Sequence, residues 1–341
     1  MINIVVVEHI DSLREIILAA LKSEFGINIT GHFDNANDAI TFIRKSKPDI
    51  ILMDMELSKP NGLEATRIIM ETNPVPIIIM SSRETKNTFP TLEAGAVAVV
   101  ERPVVKSNKN SAKVLEKLVK TVRLMSEIKV VKRFPKNSFS NHNNNFEVGN
   151  LDIKNKIKVI VIGASTGGPI VLEKILTNLP HDFSIPIVIV QHIASGFTEG
   201  MVRWLNSKSV ISVNIAENNM KLLPHNCYIA PEGVHLKLGK NQILFHSDED
   251  PVNNLKPSVS VLFKSAAEVL GKNAMGILLT GMGKDGAEEL KMIKNKGGIT
   301  IAQDQQSSLI FGMPGEAIQI GAANHIFAPH EIIRFLKQIP Y

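Results

Sequence analysis

Cysteine is nearly absent from this chain of 341 residues: Cys227 is the only one. A single thiol excludes an intramolecular disulfide and any zinc cluster built on cysteine ligands. Lying in the apolar run Cys227-Tyr-Ile-Ala, it reads as a small core residue. Aromatic side chains are scarce as well, at 5% with one tryptophan and two tyrosines. The net charge of +5 is mildly basic, but no arginine-rich stripe with stacking side chains accompanies it, so nucleic acid is not an expected partner. No apolar run approaches the length of a membrane span, and direct membrane insertion is not expected. The chain begins in the apolar stretch Ile2-Asn-Ile-Val-Val-Val7 without the basic region of a secretory leader, so a cytoplasmic location is expected. What remains is 44% hydrophobic and 21% charged residues, a globular composition, on a chain long enough for two domains with separate cores.

The most informative stretch is Lys158 to Pro169, KVIVIGASTGGP. Val159 to Ile162 form a short buried strand that runs into Gly163-Ala-Ser165-Thr-Gly167-Gly168, and a helix follows from Pro169. A serine at a glycine-rich strand-to-helix turn can stand exposed as a nucleophile, because the glycines permit a sharp turn and close approach of a substrate. The same loop can cradle a phosphate on its amides and the helix N-terminus. It can also be an ordinary tight turn of a parallel sheet, and the loop alone leaves these readings open.

Residues 1–124 alternate five short β-rich runs with helical spacing. Among the strands are Ile2–Val7, Asp49–Met53, Pro76–Met80 and Val97–Val100; the helical stretches include Ser12–Phe25, Asp38–Lys45, Leu63–Glu71, one ending at Ala94-Gly95, and Ser111–Ile128. This order predicts a doubly wound parallel sheet, in which ligands bind at the carboxyl ends of the strands. Those ends carry Glu8 and His9, Asp54, Ser81 and Arg102. The arrangement, with ILMDMELSKPNGLEA around Asp54, resembles a response-regulator receiver domain. The resemblance implies that Asp54 accepts a phosphoryl group and that Ser81 and Arg102, before Pro103, form the switch. Two departures stand out: the family's acidic pair after the first strand is Glu8-His9 here, and its lysine before the proline is Arg102. Magnesium prefers carboxylate and water oxygens in octahedral geometry, so Glu8 and Asp54 suit it and His9 does not. Asp11 offers a substitute carboxylate but reads more naturally as the cap of the following helix. Arginine neutralises a phosphate but reaches further than lysine. The expectation is a receiver fold, with Asp54 phosphorylated weakly or not at all.

A linker is expected over 125–156. From Val131 to Asn155 it is rich in Asn, Ser and Lys without periodicity, and His142 within it carries no assigned role. Strand-helix alternation resumes over 157–341. Ile170–Leu179, Glu199–Leu205, Ser258–Leu270, Ala287–Ile293 and Glu331–Gln338 are predicted helices. Ile185–Val190, Ala274–Leu279 and Ile299–Gln303 are predicted strands, and Cys227–Ala230 is expected to pair antiparallel with Ile243–Phe245. The predicted class is α/β throughout, as two doubly wound parallel-sheet domains: a flavodoxin-like first domain and a Rossmann-like second one with an antiparallel hairpin.

Ser165, His192 and Asp285 each follow a buried strand, and strand ends of one parallel sheet converge on one edge. In a triad the histidine takes the serine proton, and the aspartate fixes the imidazole tautomer and stabilises its cation. A different order, Ser then acid then His, is open through Asp285 or Asp304 as acid with His325 or His330 as base. IGASTGGP, QHIASGFT, YIAPEGVHL, LLTGMGKDGAEEL and IAQDQQSSLIFGMPGEAI, in this order, resemble the catalytic domain of the chemotaxis protein-glutamate methylesterases, the CheB family. That resemblance implies hydrolysis of glutamyl methyl esters on methyl-accepting chemotaxis receptors, and in many members deamidation of receptor glutamines. It makes Ser165 the nucleophile, His192 the general base and Asp285 its orienter, with the Met282 amide donating to the oxyanion and Thr166 beside the nucleophile. It implies no metal or organic cofactor for catalysis, a chemotaxis-type histidine kinase as a second partner, and a receiver whose phosphorylation uncovers the catalytic face. Departures in this half are small: Ala194-Ser195 stands where the family often has prolines, and Lys256-Pro257-Ser258 where it often has arginine first. Two rival readings are a non-enzymatic regulator built from a pseudo-receiver and a receptor-binding domain, and a nucleotide-binding domain, against which the glycine-rich loop lacks the P-loop lysine.

Overall fold

Runs such as Ile50-Ile-Leu-Met and Ile77-Ile-Ile-Met have no polar alternation, so they need cover on both faces, as in a parallel sheet flanked by helices. The computed structural model meets that need twice. It describes residues 1–82, 88–104, 109–128 and 157–340, and most of the expected linker, His142 included, lies outside them. The chain divides into two compact units, Met1–Asn143 and Asn144–Tyr341.

The first unit runs β1 (Ile2–Val7), α1 (Asp11–Lys22), β2 (Ile27–Phe33), α2 (Ala36–Lys45), β3 (Ile50–Asp54), α3 (Gly62–Thr72), β4 (Ile77–Ser81), α4 (Pro90–Ala94), β5 (Ala98–Glu101) and α5 (Lys109–Met125). Its parallel sheet has the order β2-β1-β3-β4-β5. Every residue of β3 and β4 is buried. Strand β2, INITGHF, is an edge strand of alternating exposure, and its polar residues hide it from a search for apolar runs. Asn61 and Glu64 form a reciprocal capping box that starts α3. Asp11 does not cap α1 as expected: the N-cap is Ile10, and Asp11 lies in the first turn, paired with Arg14 at 2.5 Å.

The second unit runs β6 (Val159–Ala164), α6 (Gly168–Thr177), β7 (Ile187–Gln191), α7 (Thr198–Asn206), β8 (Ser212–Ile215), β9 (Met220–Lys221), β10 (Asn226–Ile229), β11 (His235–Gly239), β12 (Ile243–Ser247), α8 (Val259–Leu270), β13 (Ala274–Leu278), α9 (Ala287–Asn295), β14 (Ile299–Gln303), α10 (Met313–Gln319), β15 (His325–Phe327) and α11 (Pro329–Leu336). Seven parallel strands are ordered β15-β14-β13-β6-β7-β10-β8, and β11-β12-β9 form a small antiparallel sheet. The predicted class holds, but one pairing is corrected. Residues 227–229 pair parallel with β7 and β8 inside the main sheet, whereas Ile243–Phe245 pairs with β11. The reason is burial: Cys227, Tyr228 and Ile229 are all covered, as a central strand requires, and β12 has one face in solvent. Burial also pushes the Cys227 thiol up, which leaves it an inert core group. Among the described residues no helix is long and apolar enough to cross a membrane.

Candidate functional sites

In the second unit β6 and β7 are neighbours, and their carboxyl ends carry the first two predicted residues. The His192 amide donates to the Ala164 carbonyl at 2.9 Å, which fixes the histidine backbone one residue from Ser165. Gln191 reinforces the junction: its Nε2 donates to the carbonyls of Ser165 and His192, both at 2.8 Å. The serine turn itself depends on glycine. Gly167 has φ +83°, and a Cβ on Gly168 would fall 2.2 Å from Gln191 Oε1, so L side chains fit at neither position.

Asp285 arrives from the loop after β13. Its Oδ2 lies 2.9 Å from His192 Nε2 and accepts the Val259 amide at 2.7 Å; Oδ1 accepts the Ser258 hydroxyl at 2.7 Å and the Ser260 amide at 3.2 Å. Burial alone would raise this carboxyl's pKa, but hydrogen bonds with His192 and Ser258 and the histidine charge outweigh it and hold Asp285 below the usual carboxylate range.

The loop carrying Met282 is clamped against the serine. Ser165 N donates to Thr280 O at 3.0 Å, Gly281 N to Ile310 O at 3.0 Å, and Gly281 O accepts from Gly312 and Met313. The Thr280 hydroxyl donates to Thr166 O at 2.9 Å. A Cβ on Gly281 would lie 2.6 Å from Ser165 Cβ, so the two loops touch backbone to side chain. The other residues of the alternative order, Asp304, His325 and His330, stand apart. Asp304 accepts the Ser307 amide at 3.1 Å, and His325 stacks on Phe327 at 5.1 Å. His325 lies on edge strand β15, with β14 and β13 between it and β6, and His330 is exposed.

In the first unit, Glu8, His9, Asp54 and Arg102 meet at the carboxyl edge of the sheet. Arg102 Nε donates to Glu8 Oε2 at 3.0 Å and its Nη2 to Glu8 Oε1, so the guanidinium grips that carboxylate with a fork. Nη2 also reaches Asp54 Oδ2 at 3.1 Å, and Nη1 reaches Glu56 Oε2 at 3.0 Å. His9 Nδ1 lies 2.5 Å from the same Asp54 oxygen. Burial, helped by the neighbouring Glu8 charge, raises the Asp54 carboxyl above its ordinary range despite the amide of Glu56, Arg102 and His9. Ser81 bonds to Thr88 Oγ1 at 2.9 Å instead of entering this cluster.

Residues 160–336 match the family model for the CheB methylesterase, and residues 4–113 match that for the response regulator receiver domain. The chain belongs to the CheB methylesterase family. It is 39% identical over 99% of both chains to a protein-glutamate methylesterase/protein-glutamine glutaminase of Geobacter metallireducens. It is 40% identical to one of Nitrosospira multiformis, over 99% of this chain and 97% of the other. The crystal structure of the Thermotoga maritima CheB methylesterase catalytic domain matches at a TM-score of 0.52 and 38% identity, covering 54% of this chain and all of that one.

A CheB family receiver implies magnesium. Ligand atoms of Glu8, His9 and Asp54 lie within 4.8 Å of one another, but the set does not fit that ion. Magnesium needs near-octahedral oxygen ligation; here one of three donors is an imidazole, and Arg102 already holds both Glu8 oxygens. Three supporting residues escaped the reading of the sequence. Glu56, which accepts from Arg102 and Ser82, and Ser258, which bonds Asp285 and His235, make contacts visible only in three dimensions, although Ser258 stands in the quoted Lys256-Pro-Ser. Glu232, inside YIAPEGVHL, accepts from the amides of Gly196 and Thr198 and from the Ser195 hydroxyl at 2.7–3.1 Å, which holds the loop after His192. Burial opposes its ionisation, but those donors win and lower its pKa.

Proposed function

We propose that this protein hydrolyses γ-glutamyl methyl esters on the cytoplasmic helices of chemotaxis receptors, and deamidates receptor glutamines, with Ser165, His192 and Asp285 as the reacting set. The observation that carries the reading is the His192–Asp285 bond at 2.9 Å, made where His192 is hydrogen-bonded to the residue before Ser165. Because Nε2 is committed to Asp285, Nδ1 is the nitrogen left for the serine proton. This reverses the ring orientation of serine proteases, in which Nδ1 faces the acid.

Ser165 Oγ attacks the ester carbonyl carbon while its proton passes to His192. The tetrahedral oxyanion is held by the Met282 amide, which follows the pinned Gly281 and makes no hydrogen bond among the described residues; such a donor lowers the barrier by roughly 3–4 kcal/mol. Collapse breaks the bond to the methoxy oxygen, and the imidazolium gives its proton to the leaving methanol. Water then attacks the acyl-serine with His192 again as base, which releases glutamate and restores Ser165. With a glutamine side chain the leaving group is ammonia and the atoms balance in the same way. These steps call on side chains and backbone alone. His192→Ala is expected to lower methyl release by at least about 10³-fold, since members of such a set act as a unit, with His325→Ala near wild type. The opposite order would refute the assignment.

Control by a chemotaxis-type histidine kinase acting on the receiver in the cytoplasm is the family expectation. The Arg102 fork and His9 argue for a receiver that phosphorylates Asp54 weakly or not at all, because the acidic pocket already contains its own cation. Incubation with magnesium and a small acyl phosphate should label Asp54 poorly in the wild type and better in His9→Asp/Arg102→Lys. Robust labelling of the wild type that is lost in Asp54→Ala would refute this part.

A further inference from the structure

Besides His192, Asp285 is reached by donors from one element, the start of α8. Ser258, the N-cap of that helix, does not cap it with its own side chain. Its hydroxyl is instead spent on Asp285, and the amides of Val259 and Ser260 point at the same carboxylate. A carboxylate from another loop therefore satisfies the helix's orphan amides and interacts with the positive end of its dipole. The fit is tight. A Cβ on Gly286 would lie 2.4 Å from Val259 Cγ1, and one on Gly163 would lie 2.3 Å from the same atom. Val259 is thus wedged between the nucleophile strand and the Asp285 loop.

Behind this cradle lies a buried histidine that the reaction does not use. His235, at the start of β11, is fully buried; its Nδ1 accepts the Ser258 amide at 3.2 Å and its Nε2 faces the Asp250 carbonyl at 3.0 Å. A carbonyl only accepts and an amide only donates, so the ring must be neutral with its proton on Nε2. The small antiparallel sheet thereby holds Ser258 from the side opposite Asp285.

We infer that Ser258, backed by His235, is a positioning residue of the esterase: it fixes the rotation of the Asp285 carboxylate so that Oδ2 faces His192. The inference rests on Asp285 acting as the triad acid. A carboxylate free to rotate would hold the imidazole in several orientations, and a misplacement of about 1 Å costs on the order of 10²-fold in rate. Ser258 is fully buried and its hydrogen bonds go to Asp285 and His235, so its effect should fall on kcat and leave KM unchanged.

The test uses the full chain with a methylated receptor fragment as substrate, and reads kcat, KM and the low-field proton resonance of the His192–Asp285 hydrogen bond. Ser258→Ala should lower kcat about 10- to 100-fold at unchanged KM and broaden or abolish that resonance. Ser258→Thr, which keeps the hydroxyl, should retain most of both. If Ser258→Ala does not fold, Ser258→Cys carries the test: it keeps the volume with a weaker donor and should still lose kcat. Ser265→Ala is the control. It removes another buried hydroxyl of α8, one bonded to Leu238 N and Leu262 O and remote from Asp285, and should lower Tm without changing kcat. An unchanged kcat and resonance in Ser258→Ala, or in Ser258→Cys where that variant stands in, would overturn the inference, as would an equal kcat loss in Ser265→Ala. An inactive wild type would instead sink the esterase reading, while the resonance would still report whether Ser258 orders the pair.

Discussion

Arg102 is the residue whose removal the structure prices most clearly. Its side chain is 8% exposed and lies against Glu8 and Asp54, both at 0%. Truncation to alanine leaves two buried carboxylates facing each other without the guanidinium that bridges them. Breaking a buried ion pair by removing one partner costs about 3–5 kcal/mol. Burial already raises the Asp54 carboxyl above its ordinary range, and loss of Arg102 removes a charge that lowers it, so neutralisation of this group offsets part of the loss. A domain's whole stability is about 5–15 kcal/mol, so the first unit should become marginal. Calorimetry of the full chain is the suitable assay, because two units need not unfold in one transition. Arg102→Lys should lose less, since an ammonium keeps the charge but not the fork. In Arg102→Ala the freed carboxylates become open to magnesium, which stabilises by about 2.7 kcal/mol at a hundredfold excess over its Kd. The reasoning fails if Arg102→Ala costs under about 1 kcal/mol, or if magnesium stabilises the wild type as much as the variant.

Other outcomes follow from the same geometry. Gly281→Ala places a methyl group 2.6 Å from Ser165 Cβ and 2.5 Å from Met313 Sδ, so kcat/KM should fall on the order of 10²-fold; an unimpaired variant would contradict the close approach of the two loops. The depressed Asp285 pKa contributes stability above the unfolded value of 3.8 that is lost as pH falls below it through the folded value. The urea midpoint of the second unit, followed by the fluorescence of Trp204, should therefore drop on acidification below about pH 4. Asp285→Asn should flatten that slope, and an unaltered slope would show that other groups dominate. Glu232→Ala should expose the Gly196 and Thr198 amides to faster hydrogen exchange at a stability cost of about 1 kcal/mol, and unchanged exchange would mean the loop holds itself.

The central strands were legible because burial on both faces writes them as unbroken apolar runs, as in β3, β4, β6, β7 and β13. Two edge strands were not, although edge strand β5 was: β2 with its Asn, Thr and His, and β15 with three residues, lack that signature. Helix α10 was missed because Met-Pro-Gly reads as a loop, although proline fits the first turn of a helix. Strands 227–229 and 243–245 were recognised as strands but mispaired, since hydrophobicity says that a segment is extended and not which neighbour it takes. The residues at the strand ends came from topology, which sends all such ends to one edge. Beyond them legibility stopped. Nothing in Lys256-Pro-Ser announces that Ser258 serves a carboxylate 27 residues further on, and nothing in Glu8-His9 announces that Arg102 closes over it. In both cases a side-chain hydrogen bond joins segments distant in the chain.

The central claim is that the chain removes methyl groups from receptor glutamates through Ser165. Methanol release from a methylated chemotaxis receptor measures this most directly, with wild type and Ser165→Ala assayed side by side. The account predicts steady release by the wild type and none above the uncatalysed background in Ser165→Ala. No release by the wild type, or equal release by both, would contradict it.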